Sequence, residues 1–218
     1  MPDSRHSLTV RITHWITTVA FVALLVTGGE ILISHPRFYW GETGNSGTPP
    51  LFSFHIPASR STVPTGYGYT WPDQNGWSRY LHFQSAWVVV LTGLLYVAYA
   101  FASGHLRRNL APKGKLSWRD SGDARTYNPV QRATYLLVIF GLFPLVIWTG
   151  LAMSPAFVSA FPAAVTSLGG RQSARTLHFF VSAALAVFLL VHIFMVWRAG
   201  FRGRVGAMIT GRAPQEVK

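Results

Sequence analysis

Four long apolar stretches constrain the fold of this chain more than any other feature of its sequence. A helix of about 20 apolar residues crosses the roughly 30 Å hydrocarbon core of a bilayer, and each stretch reaches that length. Backbone polar groups cannot stay unpaired in lipid, so spans of this kind are helices. The sequence therefore predicts an all-α fold, an integral membrane four-helix transmembrane bundle that forms one domain over residues 1–218. The predicted spans are about 14–33, 82–102, 131–153 and 176–197.

Composition and the placement of charge support a membrane protein and predict its orientation. Hydrophobic residues make up 50% of the chain and charged residues 12%, about half the charged share of a soluble domain. Fourteen of the nineteen Lys and Arg lie in the two tails and in 104–132, and five lie in the other two loops. The positive-inside rule then places both termini in the cytoplasm. These basic residues flank apolar spans, where they contact anionic lipid, so the net charge of +12 predicts no nucleic-acid partner.

The two loops on the predicted outer side differ in length and composition. Residues 34–79 form a long loop rich in Gly, Pro and aromatic side chains. Loops of this length are usually functional or disordered, and the aromatic content favours order. We therefore expect an ordered outer cap at 34–79 which, with the shorter loop 154–175, forms a docking surface for a partner protein.

Histidines inside the spans are the candidate functional residues, because ionisable groups within a membrane are costly. His178 and His192 lie fourteen residues apart in the fourth span. Fourteen helical residues return to within about 40° of the same face and rise about 21 Å, so one imidazole lies near each surface of the bilayer. In the predicted orientation, His14 shares the inner depth of His192, and His82 shares the outer depth of His178. We name these the inner pair and the outer pair.

Two such depth-matched pairs are the arrangement needed to hold two haems stacked across a membrane. Two imidazoles on one iron leave no open coordination position, which suits electron transfer. The chain has no cysteine, so covalent haem attachment, thiolate ligation and iron–sulfur clusters are excluded and any haem is b-type. The inner pair is predicted to bind one haem iron and the outer pair the other. The remaining histidines are interpreted as solvated: His6, His35, His55 and His105.

Arginines and glycines near these histidines complete the predicted cofactor sites. Arg11, Arg79 and Arg175 each precede a candidate ligand by three residues, which is one helical turn. Arginine binds carboxylates with two parallel hydrogen bonds, so we expect these side chains to bind the haem propionates. Gly28 and Gly150, near the outer ends of the first and third spans, are expected to leave room for a flat porphyrin.

These motifs resemble the bacterial di-haem cytochrome b family, which includes cytochrome b561 and the cytochrome b subunits of nickel–iron hydrogenases and formate dehydrogenase. The resemblance rests on R-x-x-H-W at 11–15, on His82 at the head of the second span, and on the His178/His192 pair. With the segments YNPVQRATYL, WTGLAMSP and GRQSARTLHF, the chain looks most similar to thiosulfate reductase cytochrome b subunits. The resemblance covers nearly the whole chain and is weakest in 34–79.

The resemblance implies a multi-pass subunit of the bacterial inner membrane with two haem b groups. Such a subunit exchanges electrons between the quinone pool and a periplasmic oxidoreductase, often a molybdopterin enzyme. Two alternatives stay open. The first is a superoxide:quinone oxidoreductase of the cytochrome b561 type, in which outer positive charge steers the anion. The second is a non-haem membrane metal carrier. Such a carrier needs carboxylates or several histidines at one depth, whereas Glu30 is the one acid within a predicted span.

Overall fold

The computed structural model describes residues 6–45, 47–55, 75–107 and 129–211. Within these ranges, four helical segments are long and apolar enough to cross a membrane, so the predicted all-α fold with four spans is confirmed. In chain order, the described elements are α1 (Leu8–Ser34), β1 (Arg37–Phe38), β2 (Phe52–Ser53), α2 (Asn75–Ala102), α3 (Pro129–Leu137), a π-helical turn (Val138–Leu142), α4 (Phe143–Ala152), α5 (Pro155–Ala160), α6 (Ala163–Thr166), α7 (Arg171–Arg198) and α8 (Phe201–Thr210). The third span runs from α3 through the π-helical turn into α4.

Three spans begin earlier than the apolar stretches predict. α1 begins at Leu8 rather than 14, α2 at Asn75 rather than 82, and α7 at Arg171 rather than 176. Apolar content marks only the residues in the hydrocarbon core, whereas helical hydrogen bonding continues into the interface, where charged side chains reach water. Arg79 and Arg175 consequently lie on helices, as their one-turn spacing from the candidate ligands requires.

The third span is interrupted by the π-helical turn directly ahead of Pro144. There the Phe143 backbone N–H donates to the Val138 carbonyl, one residue further back than in an α-helix. Proline lacks an N–H, and its ring clashes with the carbonyl four residues earlier. The distortion that accompanies Pro144 therefore takes the form of a wider helical turn.

The chain divides into two compact units, and each histidine pair lies within one of them. The inner pair belongs to the unit formed by Met1–Val19, Val88–Phe143 and Ala184–Lys218. The outer pair belongs to the unit formed by Ala20–Trp87 and Pro144–Ala183. A single domain over 1–218 stays a prediction.

Part of the predicted outer loop is a hairpin that packs on the start of α7. The Gly41 carbonyl accepts hydrogen bonds from the backbone N–H groups of Gln172, at 2.9 Å, and Ser173, at 3.2 Å. These N–H groups belong to the first helical turn and have no partner within the helix. The hairpin therefore caps α7. Residues 46 and 56–74 of this loop lie outside the described residues.

Aromatic side chains hold the hairpin against α7. Phe38 and Phe52 lie opposite each other in the antiparallel β1–β2 ladder, and their rings stack with centroids 4.6 Å apart. Phe179 of α7 lies 4.7 Å from Phe38 and 5.8 Å from Phe52. The Thr176 hydroxyl donates to the Tyr39 carbonyl at 2.7 Å. The aromatic residues of the loop thus pack beside the α7 ligand of the outer pair.

Gly170→Ala is expected to destabilise the protein by ~2 kcal/mol or more. Gly170 has a φ of +114°, and a Cβ there would lie 2.5 Å from the Gly41 carbonyl carbon and oxygen. Backbone cannot move aside as a flexible side chain does, so the added methyl would displace the hairpin. Thermal unfolding in detergent, followed by circular dichroism, measures the loss. Gly93→Ala is the matched control, since nothing lies within 4 Å of a Cβ at that position, and equal melting temperatures would contradict the prediction.

The predicted loop 154–175 contains two short helices, α5 and α6, that the sequence analysis did not predict. Helices of six and four residues are too short to show a clear apolar period. They are held by a buried cluster of small side chains: Ala152, Ala164, Val165 and Ala174. This loop is therefore ordered over most of its length.

Candidate haem sites

The four histidines predicted as ligands come together as two ring pairs. His14 of α1 and His192 of α7 have ring centroids 6.3 Å apart, with the planes at 53°. His82 of α2 and His178 of α7 also have centroids 6.3 Å apart, with the planes at 64°. α7 therefore supplies one imidazole to each pair.

The spacing of the rings fits two axial ligands on one iron. An imidazole nitrogen binds a transition metal at about 2.0–2.1 Å, and the ring centroid lies roughly 1.1 Å behind that nitrogen. Two imidazoles on opposite sides of one metal therefore have centroids about 6.3 Å apart. No group of three or more His, Asp or Glu side chains converges within the described ranges. Each pair thus offers two imidazoles at the spacing expected for two ligands of one metal ion.

A buried threonine orients His82 in the outer pair. The Thr27 hydroxyl lies 2.9 Å from His82 Nδ1 and is 0% exposed. The single hydroxyl hydrogen is donated back along α1, to the Ala23 carbonyl at 2.7 Å. The oxygen therefore accepts from Nδ1–H, which leaves the lone pair on Nε2 free for a metal.

Thr149 makes the same contact with the other ligand of the outer pair. Its hydroxyl lies 3.0 Å from His178 Nδ1 and donates to the Leu145 carbonyl at 2.9 Å. The Val146 carbonyl lies 3.1 Å from the same Nδ1, and a carbonyl can only accept. His178 is therefore also held with its proton on Nδ1 and its Nε2 available.

Gly28 and Gly150 follow these threonines and lie against the imidazoles. A Cβ at Gly28 would lie 3.6 Å from His82 Cε1, and one at Gly150 would lie 3.4 Å from His178 Cε1. The missing side chains thus allow close approach of the rings, and their predicted role of leaving room for a porphyrin stays a prediction. The two threonines were not among the predicted site residues, although the repeated Thr-Gly pair at 27–28 and 149–150 is a signal for them.

The inner pair is surrounded by aromatic rings instead. Trp15 contacts His14 edge-on, with centroids 5.3 Å apart at 90°. Phe188 stacks on His192, with centroids 5.9 Å apart at 26°. No described residue lies within hydrogen-bonding distance of the buried Nδ1 of His14. The two pairs therefore differ in the hydrogen bonding of their ligands.

Arg11 lies against the end of α8, which the sequence analysis assigned to the C-terminal tail. Its guanidinium donates to the carbonyls of Met208, at 3.3 Å, and Ile209. Trp15 Nε1 also donates to the Met208 carbonyl, at 3.3 Å. Carbonyls of a last helical turn have no partner within the helix, and positive charge is favourable there. Arg11 thus joins α1 to α8, and its predicted binding of a propionate stays a prediction.

Arg79 and Arg175 lie around His35, just beyond the end of α1. Arg175 donates to the backbone carbonyls of His35, at 3.1 Å, and Arg37. Its guanidinium lies 5.0 Å over the Phe38 ring. An Arg79 nitrogen lies 3.3 Å from His35 Nε2 and donates to it, since a guanidinium cannot accept. Both arginines thus hold 35–38 in place, and their predicted binding of propionates also stays a prediction.

His35 was expected to be solvated, and this expectation is wrong. The side chain is half-buried, and its ring accepts the hydrogen bond from Arg79. Burial and the positive charges of Arg79 and Arg175 lower the pKa of His35, against a smaller opposing effect of the Ile31 carbonyl. His35 is therefore neutral at pH 7, in agreement with Nε2 acting as an acceptor.

The fold is that of a multi-pass membrane protein with two pairs of facing imidazoles, as expected of a b-type membrane cytochrome. A family model for prokaryotic cytochrome b561 matches residues 5–211. The chain belongs to this family.

Two relatives are similar to the chain over most of its length. It is 30% identical over 208 residues to a putative protein-methionine-sulfoxide reductase subunit YedZ1 of Azospira oryzae, covering 88% of this chain and 89% of that protein. It is 26% identical over 218 residues to the formate dehydrogenase cytochrome b556(fdo) subunit of Escherichia coli K12, covering 95% and 83% of the two chains.

The family establishes the general role of the protein and confirms the resemblance found in the sequence. The protein is an integral, multi-pass protein of the inner membrane. As a cytochrome b, it carries haem b and acts as a membrane electron-transfer subunit.

Proposed function

We propose that the protein is a di-haem b subunit that exchanges electrons between the quinone pool and a periplasmic oxidoreductase subunit. The observation that carries this proposal is the arrangement of four imidazoles as two ring pairs with the same 6.3 Å separation. Four ligands at one spacing support two haems rather than one. Haem, when bound, supplies one-electron transfer, and the protein supplies its position and electrostatic surroundings.

Two threonines beside the outer pair hold its imidazoles in the tautomer that can bind a metal. The hydroxyls of Thr27 and Thr149 accept hydrogen bonds from Nδ1–H of the two rings, so the Nε2 atom of each ring keeps its lone pair for a metal. If each pair holds a haem iron, its two imidazoles would occupy the positions at which a substrate could otherwise bind. Substrate chemistry therefore belongs to a different subunit.

Arg11, Arg79 and Arg175 are proposed to bind the propionates. A guanidinium carries five N–H donors, so the carbonyl contacts of these side chains leave further donors for a carboxylate. The excess of Lys and Arg in the tails and in 104–132 supports cytoplasmic termini. In that orientation Arg79 and Arg175 lie near the periplasmic surface with the outer pair, and Arg11 lies near the cytoplasmic surface with the inner pair.

The partner is proposed to be a redox subunit that docks on the periplasmic side. Both relatives bear the names of subunits, one of a sulfoxide reductase and the other of formate dehydrogenase. The hairpin packed on α7 and the ordered helices of 154–175 supply a surface close in sequence to the outer pair. Quinone is the exchangeable partner within the membrane.

The purified protein is expected to hold two b-type haems per chain, because each ring pair binds one iron. The pyridine haemochrome assay, normalised to protein by amino-acid analysis, measures this ratio. A reproducible ratio of one haem per chain, with a single spectral component, would contradict the two-site proposal. A chain without haem after expression with added haem precursor would contradict the function as a whole.

A further inference from the structure

Two threonines contact the ligand rings of the outer pair in the same way, although they lie on different helices. Thr27 on α1 reaches His82 Nδ1 at 2.9 Å, and Thr149 on α4 reaches His178 Nδ1 at 3.0 Å. Both threonines are 0% exposed. Each is followed by a glycine that lets the ring approach. The arrangement is therefore repeated on both sides of the outer site.

The direction of these hydrogen bonds follows from the rest of each threonine's contacts. A hydroxyl has one hydrogen, and each threonine has a carbonyl of its own helix as the acceptor, at 2.7 Å for Thr27 and 2.9 Å for Thr149. The hydroxyl oxygen is then left to accept from Nδ1–H, and in His178 this hydrogen is shared with the Val146 carbonyl at 3.1 Å. Water does not compete for these bonds, because both side chains are fully buried.

We propose that Thr27 and Thr149 lower the reduction potential of the haem bound by the outer pair. This inference rests on the proposed binding of haem by His82 and His178. An imidazole that donates its Nδ1 proton to an acceptor becomes a more basic ligand through Nε2. A more basic ligand stabilises the ferric form over the ferrous form, and hydrogen bonding around the axial ligands is one way in which proteins set haem potentials.

Intrahelical hydrogen bonding alone does not account for the two contacts. Thr13 is also buried on α1, and its hydroxyl donates to the Thr9 carbonyl at 2.8 Å in the same i−4 pattern. No contact between Thr13 and an imidazole is present among the described residues. Thr13 therefore makes the hydrogen bond within its helix without a hydrogen bond to an imidazole, and it provides a control.

The test replaces both hydroxyls while keeping the shape of the side chains. In the Thr27→Val/Thr149→Val double variant, both haems are expected to remain bound. The midpoint potential of the outer haem is expected to rise by about 59 mV, a tenfold change in a one-electron equilibrium constant. Spectroelectrochemical titration of the membrane-extracted protein measures the potential. The low-temperature EPR spectrum of the ferric form should change for the same haem alone.

Controls separate tuning from a merely structural role. Thr27→Ser/Thr149→Ser keeps the hydroxyls and should keep the potential, and Thr13→Val should leave the outer haem unchanged. An unchanged midpoint in the double valine variant, with both haems bound, would overturn the inference and leave the proposed function intact. Loss of the outer haem from single Thr27→Val would also overturn it, since the hydroxyl would then be needed for binding. Absence of haem from the wild-type protein would instead overturn the proposed function.

Discussion

Replacing His178 with Ala is expected to leave one b-type haem per chain, with the inner haem still bound. His178 faces His82 at a centroid distance of 6.3 Å, and the described part of the chain offers no other imidazole to that site. Without His178, a haem iron at this site would keep only one of its two protein ligands. The haem is therefore expected to dissociate. His82→Ala should remove the same haem. His14→Ala and His192→Ala should remove the other one.

Dithionite-reduced difference spectra at low temperature resolve the two components and identify which one each variant loses. His55→Ala is the control, because this histidine is exposed and belongs to neither pair. Loss of the same spectral component from His14→Ala and His82→Ala would show that the pairing of the ligands is wrong.

Replacing 57–72 with a short Gly-Ser linker is expected to abolish electron transfer to the periplasmic partner. The segment belongs to the predicted outer loop and contains none of the hairpin residues that contact α7, so those residues are unchanged in this variant. With both imidazoles of a pair bound, a haem iron would offer no open position to substrate, so a docked subunit would have to carry the substrate chemistry. Both haems should therefore stay bound and reducible by quinol.

Stopped-flow absorbance of haem reoxidation by the co-expressed partner, together with co-purification, measures the effect. The control replaces 110–124, which the charge pattern places on the cytoplasmic side. Rapid turnover of superoxide with quinone by the isolated wild-type chain, without any co-purifying periplasmic protein, would contradict the subunit proposal. In that case the superoxide:quinone oxidoreductase alternative would stand.

The spans and the candidate ligands could be predicted because both follow one-dimensional regularities. Apolar length marks a membrane helix whatever its neighbours are. The spacing of His178 and His192 fixes their shared face on α7 by helical geometry alone. His14 and His82 could then be matched to them by depth, using only the distribution of charge along the chain.

The contacts that orient the ligands could not be predicted in this way. Thr27 meets His82 only because α1 and α2 adopt a particular rotation about their axes, which no sequence period specifies. α8 was missed because Gly203 and Gly206 weaken its helical signal. The contact of Arg11 with the end of α8 was missed for the same reason, and the guanidinium was assigned to a propionate alone.

The contacts between the hairpin and α7 connect the proposed docking surface to the outer pair. The Tyr39 carbonyl accepts from Thr176, two residues before the ligand His178, and Phe38 packs against Phe179, directly after it. A partner that shifts the hairpin would therefore also shift the turn of α7 that carries His178, the proposed ligand of the outer haem. Thermodynamic linkage makes this influence reciprocal. If docking changes the potential of the outer haem, reduction of that haem changes the affinity for the partner by the corresponding factor.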